Sequence, residues 1–92
     1  MPEDWTDAER KILRIFLDGE RVVRLPAKWK KREVILRWLL TKFEVNIDYP
    51  EQEVNRILQH HHPDSATIRR EFVVHGFMRR ERSVYQRIPQ SE

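Results

Sequence analysis

Ninety-two residues without a cysteine make one small domain with no disulfide framework and no thiolate metal site. Charged residues are 36% and apolar residues 39%, and three Trp, four Phe and two Tyr give so short a chain the side-chain area for one core, which excludes a disordered polymer. The net charge of +3 is unevenly spread, and with no apolar signal region and no membrane-length segment the expected location is cytoplasmic.

Residues 1–19 carry three bases against five acids. Thr6-Asp7-Ala8-Glu9 has the spacing of a capping box, and Ile12, Leu13, Phe16 and Leu17 recur at helical intervals, so a helix is predicted over 7–17. Asp18-Gly19 supplies a glycine where the chain must leave that helix. Val22, Val23 and Leu25 before Pro26 suggest a short extended segment or edge strand.

Residues 20–42 carry eight bases against two acids. From Ala27 or Lys28 the pattern is helical, with Val34, Ile35, Trp38, Leu39 and Phe43 on one stripe that should form the centre of the core. Val45–Tyr49 is long enough only for a strand stub. Pro50 fits the first turn of the next helix, where Val54, Ile57 and Leu58 face inward and His60-His61-His62-Pro63 forces a break.

Asp64 is a good N-cap for a helix over 64–76, with Ile68, Phe72 and Val73 pointing inward and Gly76 permitting its left-handed exit. Residues 69–87 hold six arginines against two acids. Phe77–Arg80 and Val84–Ile88 read as the two strands of a hairpin whose turn lacks glycine and asparagine, so a loose loop is predicted. The expected fold is α+β and winged helix-turn-helix-like: a three-helix core with a small antiparallel hairpin and an extra N-terminal helix. Its expected parts are the N-terminal helix packed on the domain (1–19), the winged-helix-like domain (20–88) and a frayed tail (89–92).

The combination of Leu25-Pro26-Ala27-Lys28, Lys31-Arg32, Phe43-Glu44, Tyr49, Glu51, Glu53-Val54-Asn55, Ile57-Leu58, Asp64, Ile68-Arg69-Arg70 and Tyr85 resembles a bacterial domain of unknown function. That domain occurs alone or fused after winged-helix transcriptional regulators of the arsenic-repressor type. The resemblance covers residues 20–87 and implies a winged-helix-like fold associated with transcription regulation, with no established activity. The chain departs from the pattern at Pro50, Ser83 and Gln86, in place of a Ser or Thr cap, a glycine and a tryptophan.

The helix 64–76 is the candidate reader of DNA, with Ser65, Thr67, Arg69 and Arg70 directed at base edges or phosphates. Arg79, Arg80 and Arg82 on the basic wing 79–87, with Lys28, Lys30 and Lys31, are candidate phosphate contacts. The competing structural role has Arg69 or Arg70 folding back onto Glu53 to fix the angle between the two helices. His60, His61, His62, Asp64 and His75 are metal-capable residue types, but three consecutive histidines in a turn cannot all face one ion, so no metal or other cofactor is expected. Glu71 with His75, or Glu51 with Glu53, could be imagined as acid and base; with no nucleophile elbow or phosphate loop beside them, no enzyme is expected. Trp38 should be buried, and Trp29 stands among lysines as a core-edge residue or a stacking surface. The expected function is duplex DNA binding in bacterial transcriptional regulation. The alternative is a protein-interaction or effector-sensing accessory module of a regulator that does not touch DNA. No membrane partner is expected, and no heptad seam fixes an oligomeric state.

Overall fold

In the computed structural model, which describes residues 5–89, the Thr6 hydroxyl accepts from the Glu9 amide at 3.1 Å while the Glu9 carboxylate accepts from the Thr6 amide at 3.0 Å. This capping box satisfies two groups at the start of α1 (Asp7–Phe16). The helix stops one residue short of the expected Leu17, because Leu17–Asp18 (β1) pairs antiparallel with Arg21–Val22 (β2). Gly19, at φ +62°, takes the first position of the two-residue loop, where a positive φ lets so tight a turn close. The expected extended segment at 20–25 is thus half of a small hairpin that docks on the end of the third helix.

After Pro26, α2 (Trp29–Leu40) is buried on more than one side. Ile35, Leu36 and Leu39 are fully buried, and Leu40 and Phe43 nearly so. Trp38, expected in the centre, is only partly buried; its face is covered by the Lys42 ammonium 4.3 Å from the ring centroid, and its ring stands nearly perpendicular to that of His61. The difference arises because α1 packs along α2 and shifts the buried sector toward Leu36 and Leu40.

The stub after α2 forms as β3 (Asp48–Pro50). Pro50 ends that strand and serves as N-cap of α3 (Glu51–Gln59), one position before the first turn expected for it. The run His60-His61-His62 leaves α3 as expected, and the Asp64 carboxylate accepts from the Thr67 amide at 3.2 Å to start α4 (Ser65–Val74). Gly76, at φ +78°, turns the chain into β4 (Met78–Glu81) and β5 (Val84–Arg87). Their loop is tight, not loose: Arg82 and Ser83 alone connect the strands, with Arg82 at φ +58° and its carbonyl accepting from Arg80 Nε at 2.6 Å. That hydrogen bond offsets part of the cost of placing a side chain in the left-handed region.

Over the described residues the fold is therefore α+β, with four helices, a two-stranded sheet β1-β2 and an antiparallel three-stranded sheet of order β3-β5-β4. One continuous core joins Phe16 and Val22 to α2, α3, α4, Met78 and Tyr85. Phe43 stands at its centre, edge-on to Tyr49 at 5.1 Å and to Phe72 at 6.1 Å. Of the expected tail only Pro89 is described; residues 90–92 lie outside the described residues.

Arg87 closes the far end of α2, its Nη1 donating to the Leu40 and Phe43 carbonyls at 3.2 and 2.9 Å. Helix carbonyls at that end have no intrahelical donor, and a cation there also complements the helix dipole. Arg87→Ala should cost about 1.5–3 kcal/mol of unfolding free energy, the range for hydrogen bonds to a charged group, read from urea denaturation.

Candidate functional site

Strand alternation separates the two arginines in the middle of β4. Met78 and Arg80 face the helices, whereas Arg79 pairs with Gln86 and Glu81 with Val84 on the outer face of the sheet. On that outer face Arg79 donates to Gln86, which donates in turn to Asp48 at 2.9 Å across all three strands. On the inner side Arg80 lines a shallow cavity of about 160 Å³ with Arg69, Arg70, Val73, Val74 and Tyr85. No acid lines that cavity. Arg82 is exposed at the hairpin tip.

The helix residues divide as well. Ser65 is only 5% exposed, and its hydroxyl accepts from Gln59 Nε2 at 3.1 Å, so it belongs to the α3–α4 contact and not to a surface. Thr67 is partly exposed and contributes its amide to the Asp64 cap. Arg69 folds inward: Nε donates to the Tyr85 hydroxyl at 2.9 Å, Nη1 to Asn55 Oδ1, and Nη2 lies 3.4 Å from Glu51. The fold-back onto α3 therefore occurs, with Glu51 as the acidic partner in place of the expected Glu53. Glu53 is taken by Arg56 one turn along its own helix. Arg70, one residue on, points away and is exposed.

Lys28, Lys30 and Lys31 are exposed at the start of α2, whose first turn holds no acid. Arg32 in the same turn fixes that end of α2 to α4 by a two-pronged bond to Glu71, Nε to Oε1 at 2.8 Å and Nη2 to Oε2 at 2.7 Å. Hydrogen bonding from Arg32 holds the Glu71 carboxyl below its ordinary value, against partial burial that pushes it up. Beside this pair Trp29, 42% exposed, has its ring centroid 4.1 Å from that of His75.

His61 and His62 are engaged by different partners. His61 is buried, with Nδ1 on the Glu20 carbonyl, and its own carbonyl accepts from Val22 N at 2.8 Å. His62 Nδ1 accepts from the Asp64 amide at 3.0 Å. Among the described residues no three His, Cys, Asp or Glu side chains gather as a metal site. Glu71, considered above as an acid or base with His75, is held by Arg32, and Glu51 lies beside Arg69. Arg32, Arg37 and Arg87 were not legible as structural cations, since their partners Glu71, Glu9 and the Leu40 carbonyl lie far away in sequence. The separation of Arg79 from Arg80 did have a signal, the period of two along a strand.

Arg69→Ala should destabilise by about 2–3 kcal/mol, because it strips several charge-assisted bonds from a side chain only 18% exposed, whereas Arg70→Ala should stay within about 0.5 kcal/mol. Both follow from denaturant midpoints. Glu71 also predicts a pH dependence. With a folded-state pKa below the ordinary 4.5, its contribution is present above that value and is lost as pH falls through the folded value. Glu71→Gln should lower stability near neutrality and flatten the acid limb of the curve, measured by thermal melts from pH 7 downward.

Among the described residues no helix is long and apolar enough to cross a membrane. A family model described as "uncharacterized protein conserved in bacteria" (DUF2087) matches residues 21–87, from β2 through β5. No curated protein and no solved structure matches the chain. Well over half of the 92 residues lie inside the family match, including α2, α3, α4 and the whole three-stranded sheet, and the chain belongs to this bacterial family.

Proposed function

We propose that the chain is a winged-helix module that binds duplex DNA in bacterial transcriptional regulation, with α4 as the recognition helix and the β4-β5 hairpin as the wing. The observation that carries this is the pairing of Arg70 on α4 with Arg80 on the hairpin around one cavity that no acid lines. The winged-helix assignment is supported by the order α2, β3, α3, α4, β4, β5 and by a sheet in which β5 lies between β3 and β4. Ten residues give α4 a length of about 15 Å, enough to lie in a major groove.

Phosphate contacts fall to Arg80, Arg82, Lys28, Lys30 and Lys31. The three lysines also stand at the positive end of the α2 dipole, which favours an anion further. Acidic residues at the start of α3 oppose phosphate less than their sequence suggests, since Glu51 lies against Arg69 and Glu53 against Arg56. Arg79 contributes little, because it faces the other side of the sheet. The module acts by binding and not by catalysis. A protein-interaction role in a regulator is favoured instead by one observation, the exposure of two large apolar side chains, Val74 at 68% and Trp29 at 42%.

Salt dependence separates the two. Five phosphate contacts give a slope of log affinity against log salt of about −4 to −5. Arg80→Ala should reduce its magnitude by about one and Arg79→Ala should leave it unchanged. A chain that shows no salt-sensitive binding to duplex DNA at low ionic strength is not a DNA-binding module.

A further inference from the structure

The outward face of α4 carries one strong hydrogen-bonding side chain among apolar ones. Ala66, Arg70 and Val74 are exposed, and so, at 37%, is Val73, which was expected to point inward. At about 100° per residue their spacing makes one stripe, opposite the buried Ser65, Ile68 and Phe72. Cations stand on both sides of it. Arg80 borders the stripe from the hairpin, and the lysine turn of α2 is tied beside it through Arg32 and Glu71.

A partner that fits this surface is anionic at its borders and offers apolar groups together with a hydrogen-bond acceptor between them. The major groove of duplex DNA has that composition: phosphates line its edges, guanine shows two acceptors, and thymine projects a C5 methyl. Ser65 is excluded as a base reader by burial. Thr67 lies off the centre of the stripe, toward Glu71 and α2.

Resting on the DNA-binding role proposed above, we infer that Val73 and Val74 read thymine methyl groups while Arg70 donates to a guanine edge. Specificity then comes from a G beside thymines, with apolar contact and the arginine contributing on a similar scale. A valine against a C5 methyl removes both from water, and uracil or cytosine at the same position leaves the valine facing an unfilled space.

The test uses the full chain. Random-sequence duplexes are enriched for binding, and the enriched site is resynthesised with deoxyuridine in place of thymidine, which removes the methyl groups alone. Affinity should fall about four-fold for each contacted methyl, the worth of one buried methyl-sized group. In a Val73→Ser, Val74→Ser double variant the thymidine and deoxyuridine duplexes should bind alike with the salt slope intact, and Arg70→Ala should lose the preference for guanine. Both valines are exposed, and the deoxyuridine comparison on the unmodified chain needs no variant to fold. Equal affinity for the two duplexes, at an unchanged salt slope, overturns methyl reading and leaves DNA binding standing. Failure to bind any duplex at low salt overturns both.

Discussion

Arg69 joins three elements that the chain's connectivity leaves free to meet at many angles. Its guanidinium bonds the Tyr85 hydroxyl on β5 and Asn55 on α3 and approaches Glu51, while its backbone belongs to α4. A guanidinium presents its donors in a fixed planar fork, so satisfying three acceptors at once sets the crossing of α3 and α4 and the position of the hairpin together. The Tyr85 ring extends this constraint, with the guanidinium carbons of Arg69 and Arg80 at 5.8 and 5.9 Å from its centroid. Arg80 is thereby held beside α4 by the same tyrosine that Arg69 anchors.

Similar pairings decide which charges remain outside. Arg32 is bound to Glu71, Arg37 to Glu9, Arg56 to Glu53 and Lys42 to Glu20. Arg87 is held by helix carbonyls, and Arg21 reaches the Gln59 and His60 carbonyls at the end of α3. Each of these cations does a structural task, and several bring an acid with them. What is left exposed around α4 is Arg70, Arg80 and the three lysines of α2. The acids nearest α4 are each already engaged, Glu71 by Arg32, Glu51 by Arg69 and Asp64 by the Thr67 amide.

Local signals in the sequence carried the helix starts and stops. Thr6 and Asp64 cap as their types require, and Gly76 turns where a glycine is needed. The long-range pairings were beyond it: Glu51 and Glu53 both precede Arg69 on a neighbouring helix, and only the crossing angle and the local claim of Arg56 decide between them. Ser65 shows the same limit, since a first-turn serine faces solvent or a neighbouring helix depending on how that helix lies. The turn at Arg82-Ser83 is tight without glycine because strand pairing and the Arg80 bond outweigh the local preference. Trp38 lost its central place to Leu36 and Leu40 once α1 occupied a second side of α2, a tertiary choice that one stripe of spacing does not encode.

The division of neighbouring arginines follows from periodicity once the element type is known. Arg69 and Arg70 lie about 100° apart around a helix, which takes one to the α3 contact and leaves the other on the open stripe. Arg79 and Arg80 lie on opposite faces of a strand, which sends one to the Gln86–Asp48 chain and the other to α4. Two adjacent pairs, each of which looks like a doubled positive patch, thus supply one structural or sheet-face cation and one cation on the open face of α4 apiece. The open face of α4 consequently holds fewer cations than the composition suggests, with Val73 and Val74 between them. In the DNA-binding role proposed above, electrostatics would govern approach and salt dependence, while contact between the valines and the groove between the phosphate borders would govern choice of site.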